Sequence, residues 1–297
     1  MSLAQYYANG IECYMIGIYT SRNHLLVKGP NQSFGNHVLH LYAIYSFAKA
    51  NNLPFFVTVD SNLDELFDLS HFKTDFQPSD CLFNEAYGGG LDEYRQKEIR
   101  NYARTDSILS GKESITEPVF ASGWFWNKAL LPSEDFFNTV RIKPEVFSRI
   151  RSKSYIFDEH TLVIHYRGTD FRHHQIGFGD IRLRQEYYSK CIEHFKQKRH
   201  SYGIIRIVLI ADDVNEALSV MPSLHQYDLI VETNDYITDW MILFSCANLV
   251  CSNSSFCYTA GAYNKSIVYQ PAGFFNRYID PLLDFPIDPY YKTSIIL

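Results

Sequence analysis

The sequence predicts an α/β protein of two domains, each a parallel sheet with helices packed on both faces. Three observations predict it. The chain has 297 residues, room for two domains of about 150 residues each. Short buried strands alternate with helical stretches along most of its length. In the second half, polar clusters stand where those strands end, which is where open α/β sheets bind ligands. The predicted domains are residues 1–150 and 151–297.

Apolar residues recur at helical spacing from Val38 to Ala50, so a helix is expected to begin just after a Gly35-Asn36 turn. "LPFFVTVD" reads as a buried strand ending at Asp60. Gly88, Gly89 and Gly90 mark a surface loop. From Glu117 to Pro144 the pattern is irregular and holds Trp124, Trp126, Pro132 and Pro144, as expected of a crossing between halves. A second alternation follows. A strand runs from Leu162 to Tyr166 and a helix from about Arg184 to Lys198. "IIRIVLIADD" is a strand with acidic residues at its end, and "NEALSVM" begins a helix. "YDLIVE", "NLVCSN" and "SIVYQP" are strands, the last closing the series. "ITDWMILFSCA" and "SSFCYTAGAYN" are the helices between them.

Bulk chemistry narrows the function. A net charge of −6 leaves no general basic surface for nucleic acid. The 22 Tyr and 22 Phe are expected mainly as core packing, though flat faces also suit sugars and bases. Cys13, Cys81, Cys191, Cys246, Cys251 and Cys257 form no Cys-x-x-Cys pair and read as buried thiols. No signal peptide and no run of 18 apolar residues occurs, so a cytoplasmic protein without a membrane span is expected. Gly-x-Gly-x-x-Gly, Gly-Lys-Ser/Thr and Gly-x-Ser-x-Gly are all missing, against a dinucleotide fingerprint, a P-loop and a hydrolase elbow. His160, His165, His173 and His174 fit no zinc spacing, so no metal is expected.

Three strand ends carry candidate chemistry. In "HYRGTD", His165 and Arg167 share a strand face. A guanidinium there suits a phosphate, whereas an Arg167–Asp170 ion pair is the structural alternative. In Asp212-Asp213, Asp213 is expected to cap the following helix, and Asp212 either caps or reaches a ligand. In Ser252-Asn253-Ser254-Ser255-Phe256, hydroxyls and backbone N–H groups at a helix start suit an anion, and helix capping is compatible with that. Asp239, expected to open a helix, either stabilises its amino end or accepts the N–H donors of a guanine edge.

Taken in order, these segments resemble GDP-fucose-dependent fucosyltransferases of the α1,2-, α1,6- and protein O-fucosyltransferase kind. "SFGNHVLHLYAIYSFAKANN" is similar to the amino-terminal signature of protein O-fucosyltransferases. "HYRGTD" is similar to the shared His-x-Arg-x-x-Asp motif, and "DWMILFSCANLVCSNSSF" to a later signature. "EPVFASGWFWNKALL" is a looser echo of the α1,2 enzymes. The resemblance implies a GT-B fold, two doubly wound Rossmann-like domains facing across a cleft, with GDP-fucose in the second. It implies inverting, metal-independent transfer of fucose to a glycan or glycoconjugate hydroxyl. Arg167 matches the β-phosphate arginine and His165 the motif histidine near the nucleotide. Asp239 matches the guanine carboxylate, and Ser254, Ser255 and Phe256 match the nucleotide-lining segment. Gly35 and Asn36 match the amino-domain turn whose asparagine reaches the donor. His37, Asp60 and Asp170 all remain open as the base. Two positions depart from the α1,2 and α1,6 patterns: Gly168 stands where a second Arg is usual, and His37 where α1,2 enzymes have Gln. A transferase using another nucleotide-hexose and a silent glycan-binding relative are the alternatives. With no span of its own, the chain would meet a lipid-linked acceptor only peripherally.

Overall fold

The computed structural model describes residues 15–19, 34–59, 63–73, 81–83, 107–108, 110–113, 119–121, 134–169, 171–172, 180–199, 205–262, 266–271 and 294–296. The chain divides into two compact units, Met1–Lys143 and Pro144–Leu297. Asp60, Asp170, His173, His174, the Gly88–Gly90 loop, Trp124, Trp126 and Pro132 lie outside the described residues.

Among the described residues of the first unit, four parallel strands pair in the order β2-β1-β4-β3: β1 (Met15–Tyr19), β2 (Phe55–Val59), β3 (Cys81–Phe83) and β4 (Val119–Ala121). β4 comes from the stretch that the sequence suggested was a crossing. Its irregular pattern hid a strand of three residues, too short to display a period. Helix α1 spans Phe34–Ala50, so Gly35 and Asn36 form its first turn rather than a turn before it. Burying Phe34 outweighs the roughly 1 kcal/mol a helical glycine costs. α1 is apolar nearly all round and correspondingly buried, with Val38, Leu39, Leu41, Ala43, Ile44 and Phe47 all in the core. It stops at Asn51-Asn52. Asn52 takes a left-handed conformation (φ 54°), and the Leu53 amide returns to the Ala48 carbonyl at 2.8 Å. The short helices α2 (Leu63–Leu66) and α3 (Glu134–Thr139) also belong to this unit. Phe136 of α3 meets Tyr42 and Tyr45 edge-on, with centroids 4.8 and 5.3 Å apart, so these aromatic side chains serve core packing.

The second unit opens with α4 (Pro144–Ser148) and a 3₁₀ turn, Ser154–Phe157. Its strands are β5 (Thr161–Tyr166), β6 (Arg206–Ala211), β7 (Asp228–Glu232), β8 (Asn248–Val250), β9 (Ile267–Gln270) and β10 (Ser294–Ile296). Its helices are α5 (Gln185–Lys198), α6 (Val214–Val220), α7 (Tyr236–Ser245) and α8 (Ser255–Gly261). The strands are all parallel, in the order β10-β9-β8-β5-β6-β7. β10, not "SIVYQP", is the last strand.

That order runs outward from β5 to β7, then returns to the other side of β5 and runs outward again. Right-handed crossovers therefore put α5 and α6 on one face and α7 and α8 on the other. Leu162, Ile164 and Tyr166 of β5 pack with Tyr188, Cys191 and Phe195 of α5 on the first face. On the second, Trp240 stacks on Phe244 at 5.0 Å and donates to Thr259 Oγ1 at 3.1 Å. Cys191, Cys246, Cys251 and Cys257 are buried free thiols. Among the described residues no helix is long and apolar enough to cross a membrane.

Candidate functional site

The chain direction reverses between β5 and β8. In a doubly wound sheet the carboxyl ends at such a switch point diverge and leave a crevice. The second-unit candidates are arranged around the strand ends of this sheet.

β5 is buried along its whole length, and its alternation turns His165 away from the α5 face. His165 Nδ1 lies 2.6 Å from Ser252 Oγ, just past β8, so this hydrogen bond bridges the switch point. Its ring lies against Phe256 of α8, centroids 5.6 Å apart and 29° from parallel. Burial pushes the imidazole down to about 3, and the pull of Asp212 upward does not compensate. His165 is therefore neutral at physiological pH. It offers hydrogen bonding, not charge.

Arg167 extends past the strand end, with Nε 3.4 Å from Asp212 Oδ2 and Cζ 5.9 Å from the Phe171 ring centre. Among the described residues, Asp212 pairs with Arg167 across neighbouring strand ends; the Arg167–Asp170 alternative involves a residue outside the described ones. Asp212 accepts from Gly168 N (2.9 Å), Thr169 N (3.1 Å), Thr169 Oγ1 (2.6 Å) and Asp213 N (3.1 Å). Burial works against its charge, but the Thr169 hydroxyl, Arg167 and the two amides win and hold its pKa below the ordinary value. Asp212 thus fastens the turn after β5 to the end of β6. Asp213 caps α6 by accepting from Glu216 N at 2.9 Å, as its sequence position suggested.

Gly168 is explained by its surroundings. A Cβ there would lie 2.5 Å from Glu216 Oε2 and 2.7 Å from Tyr166 Cε1. Glu216 is fixed in turn by Arg172, 2.9 Å away, and by Arg182. No arginine fits after Arg167 in this chain, because a buried carboxylate occupies its path.

Ser254 is the cap of α8, its hydroxyl accepting from Phe256 N at 3.3 Å, and the Ser255 carbonyl accepts from Thr259 Oγ1 at 2.9 Å. The capping role is thus filled, and one of the amides expected for an anion is occupied by Ser254 itself.

Asp239 does not open α7. Asp235 does, accepting from Ile237 N and Thr238 N, and Asp239 sits one turn in. Asp239 is half-buried and, among the described residues, receives one hydrogen bond, from Asn234 Nδ2 at 2.9 Å. Burial first, then the nearby charges of Asp235 and Glu232, raise its pKa to about 6 against the Asn234 bond and the Lys153 charge. Glu232 is buried and held by Lys153 Nζ at 2.6 Å, Tyr155 OH and Asn234 Nδ2 at 2.9 Å.

Gly35 and Asn36 belong to the first unit, in the opening turn of α1, with Gly35 buried and Asn36 half-buried. His37 is buried beside them. Among the described residues no three His, Cys, Asp or Glu side chains group to hold a metal ion.

No family model matches the chain, and no curated protein matches its sequence. Solved structures do match. One is a NodZ α1,6-fucosyltransferase soaked with GDP-fucose, 13% identical, covering 85% of this chain and 93% of that one, with TM-score 0.52. Fucosyltransferase NodZ from Bradyrhizobium is 13% identical over 84% of this chain and 93% of its own, with TM-score 0.52. Arabidopsis thaliana FUT1, a point variant in complex with GDP, is 13% identical over 89% and 72%, with TM-score 0.50. This chain shares its fold with fucosyltransferases. At this identity the likeness speaks for the fold and leaves the chemistry to the residues.

Sequence reasoning passed over Ser252, Glu216 and Asn234 as members of the site. Ser252 was within a named cluster, and only the His165 contact distinguishes it. Glu216 had no signal beyond its place one turn after Asp213. Asn234 had one: an amide between two acidic residues where a strand gives way to a helix.

Proposed function

We propose that this protein is a glycosyltransferase that moves L-fucose from GDP-fucose to a hydroxyl of a glycan acceptor, with inversion and without a metal ion. One observation carries the reading. Arg167 stands at the β5 end of the switch point, oriented by a carboxylate that is itself held by four further hydrogen bonds. A cation held that firmly suits a ligand phosphate, and it is the fixed positive charge the reaction needs.

In the reaction the bond between the anomeric carbon and the β-phosphate oxygen of GDP breaks. Negative charge grows on the phosphate, and the sugar becomes oxocarbenium-like. Arg167 receives that charge, a preorganised contribution of about 3–4 kcal/mol, in the place a divalent cation takes in other transferases. The acceptor oxygen bonds to the opposite face of the same carbon, which inverts it. The acceptor's proton passes to a base, for which His37, Asp60 and Asp170 are the candidates. Neutral His165 hydrogen-bonds near the nucleotide. Phe256, Ser254 and Ser255 line it, and Asp239 accepts from the guanine N1–H and amino group. In the GT-B arrangement that the resemblance implies, Gly35 and Asn36 would reach the donor from the first unit. Support for the donor comes from the shared fold, in which NodZ was soaked with GDP-fucose.

The test is a melting experiment with nucleotides, followed by turnover. GDP at 100 times its Kd is expected to stabilise the protein by about 2.7 kcal/mol. UDP should do nothing, and release of GDP from GDP-fucose should persist in EDTA. Equal shifts with UDP and GDP would overturn the guanine reading. Turnover lost in EDTA and restored by Mn²⁺ would overturn the metal-free mechanism.

A further inference from the structure

We infer that Asn234 is a specificity-determining residue for the nucleotide base, its side-chain carbonyl taking the second amino hydrogen of guanine beside Asp239. This rests on the proposed role of Asp239.

Two carboxylates fix which way the Asn234 amide faces. Asn234 Nδ2 lies 2.9 Å from Glu232 Oε2 and 2.9 Å from Asp239 Oδ1. A carboxylate only accepts, so the amide nitrogen must face both; the flipped amide would set oxygen against oxygen. Glu232 cannot change this by taking up a proton near neutral pH. Burial opposes its charge, but Lys153, Tyr155 and Asn234 together keep its pKa below the ordinary value. The orientation therefore passes in sequence from Lys153 and Tyr155 to Glu232, then to Asn234, then to Asp239.

The consequence is a pair of acceptors. With its nitrogen committed, Asn234 presents Oδ1 away from the two carboxylates. Among the described residues neither Asn234 Oδ1 nor Asp239 Oδ2 has a hydrogen-bond partner. The pair adds no donor that would welcome a ring-nitrogen acceptor. Guanine offers three donors from two adjacent nitrogens, N1–H and the two amino hydrogens. Adenine places an acceptor at N1, and hypoxanthine lacks the amino group. Two hydrogens satisfy Asp239, and the third meets Asn234. A site that places an acceptor at this amino group favours the base that fills it over the analogue lacking it.

The experiment is calorimetric titration of the full chain at pH 7.5 with GDP, IDP and ADP, on wild type and Asn234→Ala. Wild type is expected to prefer GDP to IDP by more than tenfold. Asn234→Ala should lose about tenfold more affinity for GDP than for IDP, closing most of that gap. Equal losses for both nucleotides would make Asn234 a prop for Asp239 only and overturn the inference, as would no loss at all. If wild type binds ADP as well as GDP, the guanine reading of Asp239 itself fails, and this inference with it.

Discussion

Two aspartates at two strand ends of one sheet have opposite electrostatics. Asp212, past β6, collects four hydrogen bonds and the Arg167 guanidinium, and its pKa is depressed. Asp239, past β7, collects one hydrogen bond among the described residues, beside the charges of Asp235 and Glu232, and its pKa rises to about 6. Both are desolvated, so burial does not separate them. What separates them is the number of donors the protein itself supplies. A carboxylate saturated by its own fold is a positioning group. A carboxylate left short of donors is costly to keep ionised, and a ligand that brings donors repays it.

The largest expected effect lies on the Asp212 side. Arg167→Lys keeps the charge but loses the planar fork, so kcat for fucosyl transfer should fall about 100-fold or more, measured with saturating donor. The melting temperature should hold, because Asp212 keeps its other four donors. Retained turnover with lowered stability would make Arg167 a structural partner of Asp212 and erase the contrast.

Next is Asp239→Asn, where binding and stability should move in opposite directions. GDP affinity should drop about 30-fold or more, since an amide cannot accept from guanine at both atoms. Stability should rise. The folded pKa of about 6 exceeds the ordinary 3.8, so folding binds the proton more tightly and the ionised group costs stability as pH climbs between them. Above pH 6 the variant should gain on the order of 1–3 kcal/mol, and at pH 4 nothing. Wild-type GDP binding should strengthen with pH through 6 and then level off. Denaturant melts at the two pH values, with titrations across the range, check both. A variant less stable at pH 8 would refute the account of Asp239.

The smallest effect expected is for Asp212→Asn, with the opposite sign. Its folded pKa lies below 3.8, so its stabilisation is present above that value and is lost as pH falls through the folded one. The variant should lose about 1–2 kcal/mol at pH 7 and progressively less toward pH 3, read from the same melts. Equal destabilisation at both ends of the range would mean that packing rather than charge is what the side chain contributes.

The sequence revealed much of the second unit and less of the first. Leu162–Tyr166, "RIVLIA" and "DLIVE" were legible because buried parallel strands are continuous apolar runs. Asp213 as a cap was legible because capping is local. β1, β3, β4 and β10 escaped, most of them only three residues long. The start of α1 was misread because Gly35-Asn36 carries turn chemistry that the burial of Phe34 overrides.

The sequence by itself determined the alternation of elements, the clusters at the strand ends and the residue types in them, because these depend on near neighbours in the chain. Tertiary structure alone decided the strand order and its switch point between β5 and β8. It joined His165 to Ser252, 87 residues apart, and Arg167 to Asp212. It left Gly168 no room for a side chain, and it gave Asp212 and Asp239 their opposite shifts. The physical reason is that a side chain's charge state depends on how many donors and charges the fold gathers around it. Those partners come from strands and loops far apart in sequence, which no local pattern reports.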